Sequence, residues 1–239
     1  MMDRPYTIGI TGGSASGKTT LAQALAVSLQ EYNPVILSQD RYFRDWLDCP
    51  PEERARVRTA NRPEAILWPA YMEAVHKIRA GEPIQDSAPG TRAAQYEAKP
   101  FTIQPGQVLI LEGLFVLWSE ELRKLLDLAI YVELEDSERI LRRLVRDLHS
   151  RGGDLEHAVA WLRRDVLPNF PIFTGATKQH ADLIVPNLQP DSRAVQVIAQ
   201  GVRSILKGQD EPQPFTLVEW EEASPVPHSP WRQSQGWRR

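Results

Sequence analysis

Along this chain, short apolar runs alternate with longer stretches in which apolar residues recur at helical spacing. The runs at 6–11, 35–38, 108–111, 128–133 and 183–185 are rich in Ile, Leu and Val and are apolar on both faces. A strand with two apolar faces must be covered on both, as interior strands of a parallel sheet are. Helical periodicity predicts helices at 19–30, 69–80, 119–126, 136–150, 155–166 and 192–207. Pro69 suits a first helical turn, and Gly81 and Gly208 suit C-terminal caps. Strand and helix in alternation imply βαβ units and a doubly wound, mostly parallel α/β sheet with helices on both faces. No fixed-period repeat is present, which argues against a solenoid or propeller.

Two regions break the rhythm. Residues 82–107 contain Pro83, Pro89, Gly90, Pro100, Pro105 and Gly106 and only weak strand signals. A loop or short hairpin projecting from the sheet is expected there, and loops of this length are often functional. Beyond Gly208, Pro212, Pro214, Pro225, Pro227 and Pro230 are interspersed with Trp220, Trp231 and Trp237. That spacing of prolines prevents a long helix. The expected organisation is one domain over 1–208 and a Pro- and Trp-containing tail over 209–239. The tail is expected to dock on its own domain or on a second copy in a homo-oligomer.

Composition narrows the class. The 239 residues are 42% hydrophobic and 25% charged, and 28 Lys and Arg against 31 Asp and Glu leave a net charge of −3. That balance argues against a nucleic-acid or anionic-membrane binder. No apolar run approaches the ~20 residues of a membrane span. The N-terminus enters a strand-like run without a signal-peptide core. Cys49 is the single cysteine, which excludes an intrachain disulfide and fits a reducing cytoplasm.

The strongest chemical signal is Gly12-Gly13-Ser14-Ala15-Ser16-Gly17-Lys18-Thr19, followed by Thr20. It matches G-x-x-x-x-G-K-[ST] and sits between a predicted strand and a predicted helix, the context of a phosphate-binding P-loop. The glycines permit a tight turn whose N–H groups point inward at a triphosphate, and the helix N-terminus favours the bound anion. Lys18 reaches the β- and γ-phosphates, and the Thr19 hydroxyl ligates Mg²⁺. The fold class that follows is the P-loop NTPase fold, with ATP and Mg²⁺ as the expected cofactors.

Ligands of open α/β sheets bind beyond the carboxyl ends of the strands. Asp40 follows the second run, and Glu112 ends the run Val108-Leu109-Ile110-Leu111. Either acid suits Mg²⁺ beside Thr19, which commonly takes one or two carboxylates plus phosphate oxygens and water. Asp40 alternatively accepts the proton of an attacking substrate hydroxyl. Tyr42 and Phe43 follow it as a substrate wall or as packing aromatics. Arg139, Arg142, Arg143 and Arg146 recur at i, i+3, i+4 and i+7 and share one helical face, with Arg151 beyond. Arg139 and Arg142 read as a solvated face paired with Glu135 and Glu138. Arg143, Arg146 and Arg151 read as guanidiniums closing over the phosphates.

With these residues in place, the chain resembles the uridine kinase family, within the wider uridine kinase/phosphoribulokinase group of P-loop kinases. The resemblance runs from about Thr7 to Pro186. It rests on Gly12 to Thr19, Ser38-Gln39-Asp40-Arg41-Tyr42-Phe43, Leu111-Glu112-Gly113, Arg142-Arg143-Leu144-Val145-Arg146-Asp147 with Arg151-Gly152, and Ala181-Asp182-Leu183-Ile184-Val185-Pro186. It implies that Asp40 is the catalytic acid that activates a sugar hydroxyl, and that Thr19 and Glu112 neighbour Mg²⁺. It further implies a mobile lid over about 137–168, with Arg146 and Arg151 over the phosphates and Arg143 nearer the substrate. The acceptor side departs from the family. An Asn-Phe-Asp-His segment of the family reads here Thr59-Ala60-Asn61-Arg62, and Arg-Gly-Arg-Asp reads Arg151-Gly152-Gly153-Asp154. A nucleoside-contacting Gln of the family corresponds to Trp161, and a Tyr-Asp-Phe hairpin has no clear counterpart in 85–95. The phosphoryl-transfer half is therefore matched and the base-reading half is not.

The expected activity is transfer of the ATP γ-phosphate to a hydroxyl of a small nucleoside or sugar-like acceptor. Other acceptors of the wider group (a phosphorylated sugar, pantothenate, a nicotinamide-type nucleoside) stand beside it. So does a regulatory protein that binds ATP without turnover.

Overall fold

The computed structural model describes residues 4–96, 101–150, 154–186 and 193–208. The strands are β1 (Tyr6–Thr11), β2 (Val35–Ser38), β3 (Ile84–Gln85), β4 (Thr102–Ile103), β5 (Val108–Glu112), β6 (Leu128–Glu133) and β7 (Leu183–Pro186). The helices are α1 (Lys18–Ser28), α2 (Pro51–Val57), α3 (Trp68–Arg79), α4 (Arg92–Tyr96), α5 (Glu120–Arg123), α6 (Asp136–Ser150), α7 (Leu155–Trp161), α8 (Leu167–Asn169) and α9 (Arg193–Leu206).

The main sheet has the order β2-β5-β1-β6-β7 and is parallel throughout. Successive side chains of β5 show why both faces are apolar. Val108 and Ile110 pack with Leu21 and Leu25 of α1 and Val195 and Val202 of α9. Leu109 and Leu111 pack with Tyr71, Val75 and Ile78 of α3 and with Phe115. The central strands β1 and β5 are buried at every position. β7 is different: it lies at the sheet edge, with Leu183 40% and Ile184 47% exposed. Its apolar composition read as an interior strand, but only β6 pairs with it.

Residues 82–107 form the expected short hairpin, with β3 antiparallel to β4 and α4 between them. Asp86 anchors it: the buried carboxylate accepts from the Phe101 N–H at 3.1 Å and forms an ion pair with Arg41. The helix predicted over 155–166 ends as α-helix at Trp161. Wide π-type turns run over Leu162–Val166 and Phe170–Thr174, on either side of α8. Pro168 and Pro171 lie in this run, and neither has an N–H to continue an α ladder. Helix α2 is absent from the sequence-based prediction, although Pro51 in its first turn, with Glu52 and Glu53 behind it, is a helix-start signal. Residues 209–239, including the expected docking tail, lie outside the described residues. Among the described residues no helix is long and apolar enough to cross a membrane.

Candidate active site

The site is built at the carboxyl edge of β1, β5 and β2. Register sets Ile10 and Ser38 on either side of Glu112, so all three strands deliver their last residues to one ridge. The Thr11 hydroxyl donates to the Gly113 and Leu114 carbonyls at 3.0 Å each, tying the end of β1 to the loop after β5. Gln39 secures the third strand: its Oε1 accepts from the Phe115 N–H at 2.9 Å.

From β1 the chain turns into α1 through Gly12 to Gly17. Gly12 has φ +146°, and a Cβ there would lie 2.4 Å from the Val132 carbonyl oxygen, so only glycine fits. Gly17, with φ +103°, makes the last left-handed step before the helix starts at Lys18. The Lys18 Nζ donates to the Gly13 carbonyl at 3.0 Å, folding its side chain back over the loop. Burial pulls the Lys18 ammonium below the ordinary lysine pKa, against the attraction of Glu112 and Asp40. The Ser16 Oγ is buried without a hydrogen-bond partner among the described residues. A buried amine and an unsatisfied hydroxyl inside a glycine cradle are what a bound phosphate would satisfy, so the donor set fits a nucleoside triphosphate.

Glu112 sits beneath this loop with 4% of its surface exposed. Its Oε2 accepts from the Thr19 hydroxyl at 3.2 Å, and its other oxygen accepts from the Ser38 hydroxyl. Burial pushes the Glu112 carboxyl above the usual carboxylate range, and the negative charge of Asp40 adds to this. Lys18 and the Ser38 and Thr19 hydroxyls pull the other way. Asp40 is exposed on the 3₁₀ turn Gln39–Tyr42 that follows β2, where its N–H donates to the Ser38 Oγ at 3.3 Å.

These groups open onto a cavity of about 630 Å³. Ser14, Ala15, Gly17, Lys18, Thr19, Thr20, Asp40, Phe43 and Glu112 line it on the sheet side, and Arg142, Arg143 and Arg146 line it from α6. The structure thus brings together most of the residues expected from sequence. Arg146 donates to the Ser14 Oγ at 3.2 Å, and Arg143 is buried with Asp147 at 3.3 Å. Arg142 pairs with Glu138 at 2.7 Å, as expected. Arg151 lies outside the described residues.

Two expectations are corrected. Arg139 is not on a solvated face: it is 2% exposed, with its guanidinium 3.8 Å from the Phe170 ring centroid and ion-paired to Asp136. Its side chain lies against Gly13, where an added Cβ would come within 2.4 Å of the Arg139 Cδ. Helix α6 therefore turns its arginine face to the P-loop, while Leu141 and Val145 are 59% and 55% exposed. Tyr42 is not on the cavity wall. It is 1% exposed and packs on Tyr71 with ring centroids 5.0 Å apart, because the turn after β2 points it into the core; Phe43 alone of the two lines the cavity.

A second cavity of about 270 Å³ adjoins the first and shares Ala60, Arg92 and Arg143 with it. Arg58, Asp147, Asp154, His157, Ala158 and Trp161 complete its wall. Sequence reasoning missed Ser38, Arg92 and Asp165. Asp165 had a detectable signal: Leu162, Asp165 and Val166 share a helical face, and a carboxylate there sits on the buried side. Asn61, in the segment that departs from the family pattern, turns to Asp165, its Nδ2 donating to the carboxylate at 2.6 Å.

A parallel sheet with a glycine cradle, a buried lysine and two carboxylates at its carboxyl edge defines a P-loop nucleotide-binding fold. The family model of the phosphoribulokinase/uridine kinase family matches residues 7–193. A uridine kinase of Lactobacillus helveticus (strain DPC 4571) is 32% identical over 210 residues, covering 86% of this chain and 97% of the relative. A uridine kinase of Geobacillus sp. (strain WCH70) is 34% identical over 207 residues, covering 87% and 98%. Among solved structures, a candidate fructose transport system kinase from Silicibacter sp. TM1040 shares the fold with a TM-score of 0.60 and 22% identity, covering 77% of this chain and 91% of that one. The chain belongs to the phosphoribulokinase/uridine kinase family. It is an ATP-dependent, uridine kinase-like small-molecule kinase, a phosphotransferase with a hydroxyl acceptor.

Proposed function

We propose that the chain transfers the γ-phosphate of ATP to a hydroxyl of a nucleoside or sugar-like acceptor bound between the two cavities, with Asp40 as the base. The observation that carries this reading is the convergence of Lys18, Thr19, Asp40 and Glu112, from three strands, on one cavity edge. The P-loop N–H groups and Lys18 hold the β- and γ-phosphates. Thr19 and Glu112, with Asp40 beside them, are the residues suited to Mg²⁺, which supplies neutralisation of charge between those phosphates.

Asp40, exposed at the cavity edge, receives the acceptor's hydroxyl proton as oxygen attacks phosphorus in line with the departing ADP oxygen. Orientation of the two reactants and electrostatic stabilisation of the transferring charge supply the bulk of the acceleration, and proton removal adds a factor of about 10²–10⁴. Arg146, held at Ser14, and Arg151 stabilise charge as it develops on the transferring group. Arg143 and Phe43 lie where the acceptor meets the phosphates. Closure of α6 over this centre excludes water and limits ATP hydrolysis.

The test is a transfer assay with γ-labelled ATP against nucleosides, free sugars and sugar phosphates, with uridine as the first acceptor. Label must appear in an acceptor hydroxyl ester. Tight ATP binding with no transfer to any member of the panel would refute the reading and leave a nucleotide-dependent binding protein.

A further inference from the structure

Asp165 is 4% exposed, and its carboxylate is satisfied by donors from a segment more than a hundred residues away in the chain. The Thr59 hydroxyl donates to one oxygen. The Ala60 N–H at 3.0 Å and the Asn61 Nδ2 at 2.6 Å donate to the other. The Asn61 N–H in turn donates to the Thr59 Oγ1 at 3.1 Å. One residue earlier on the same π-type turn, Arg164 donates to the Arg58 carbonyl at 2.8 Å. Burying a carboxylate is costly unless its lone pairs are filled, so these donors are held with it.

What the network joins gives it a role beyond packing. Ala60 lines both cavities. Ala158 and Trp161, one to two turns before Asp165, also line the second cavity. Helix α7 packs on α6, which carries Arg143 and Arg146 to the phosphate cavity. A π-type turn departs from α geometry, and such turns are frequent at functional sites. Here it sets Asp165 facing the 59–61 segment.

We propose that Asp165 is a positioning residue that couples α6 and α7 to the acceptor wall. Nucleotide phosphates engage the arginines of α6, which already lies against the P-loop, and so fix α6, α7 and the π-type turn; Asp165 then fixes Thr59, Ala60 and Asn61. The order of the acceptor wall then follows nucleotide occupancy. This inference rests on the reading that ATP binds at the P-loop and the acceptor between the two cavities. Its test therefore uses a readout that needs no acceptor.

The experiment is amide hydrogen exchange on the full chain with and without Mg²⁺ and a non-hydrolysable ATP analogue. In the wild type, the analogue is expected to slow exchange at Gly13 to Gly17 and also, at least tenfold, at Ala60 and Asn61. In Asp165→Asn and in Asn61→Ala, slowing at the P-loop is expected to persist while slowing at Ala60 is lost. The swap Asp165→Asn with Asn61→Asp, which reverses donor and acceptor, is expected to restore at least part of it. With a transferred acceptor in hand, Asp165→Asn should raise the acceptor KM about tenfold and leave the ATP KM within twofold. Equal slowing at Ala60 in wild type and both single variants would overturn the coupling, as would no slowing there in the wild type while the P-loop is protected. Absence of protection at the P-loop itself would overturn the nucleotide site and the coupling together.

Discussion

Thr19 and Glu112 are 93 positions apart in the chain, yet the Thr19 hydroxyl donates to the Glu112 carboxylate at 3.2 Å. The contact exists because β1 and β5 are neighbours in parallel register, which puts the start of α1 directly over the end of β5. Ser38 reaches the same carboxylate from the other neighbouring strand. Burial and the charge of Asp40 outweigh the attraction of Lys18, so the charged Glu112 costs the ligand-free fold stability, and a bound divalent cation would offset that cost.

Glu112→Gln should therefore stabilise the ligand-free protein while impairing Mg²⁺-dependent activity. The Glu112 carboxyl keeps its proton to higher pH when folded than when unfolded, so folding is favoured below the ordinary value of 4.5 and that contribution fades as pH rises through the folded value. At pH 7 the charged side chain is a net cost, and the amide removes it. The expected result is a higher Tm for Glu112→Gln at pH 7, a difference that disappears as the pH falls below the ordinary carboxyl value. Thermal unfolding of both proteins from pH 4 to 8 in the absence of nucleotide checks this.

Arg146 and Arg142 lie on the same helix and line the same cavity, but their partners differ. Arg146 contacts the P-loop Ser14, whereas Arg142 pairs with Glu138 on its own helix. Arg146→Ala should lower kcat by about 10²-fold with Tm within ~2 °C, consistent with loss of transition-state charge stabilisation. Arg142→Ala should change kcat by less than about threefold, since its guanidinium is engaged by Glu138 on its own helix and not by the P-loop. Steady-state kinetics of the two variants side by side decide it.

Gly12→Ala places a methyl group 2.4 Å from the Val132 carbonyl and 2.9 Å from the Ser16 Oγ, at a φ that alanine rarely adopts. The loop must shift, and its inward-facing N–H groups shift with it. Stability is expected to fall by more than ~1 kcal/mol, and nucleotide affinity by more than tenfold. Calorimetric titration with ATP and Mg²⁺ reads both the affinity and the fraction of folded protein.

Much of the fold was legible because burial on two sides leaves a mark in composition. The all-buried strands β1 and β5 read as apolar runs, and the Gly12 to Thr19 loop read as a phosphate cradle. The edge position of β7 was not legible, since pairing on one side only does not change its Leu-Ile-Val content. Arg139 misled because an arginine at helical spacing with acids reads as solvated. Its burial depends on Phe170 and Gly13, which are distant in sequence. Tyr42 misled because adjacency to Asp40 in sequence says nothing about which way a 3₁₀ turn points each side chain. The burial of Asp165 left a signal at helical spacing, but its partners did not: they come from 59–61, and only the folded chain brings them together.

The most direct test of the proposed chemistry is the turnover of Asp40→Asn with γ-labelled ATP and an acceptor identified by the transfer panel. Asp40 stands exposed at the cavity edge beside Lys18 and Thr19, so its amide should preserve shape and ATP binding while removing the proton acceptor. The expected result is a kcat lowered by about 10²–10⁴ with an ATP KM within threefold of wild type. A variant that retains full kcat with the same acceptor would contradict the role of Asp40 and the reaction geometry built around it.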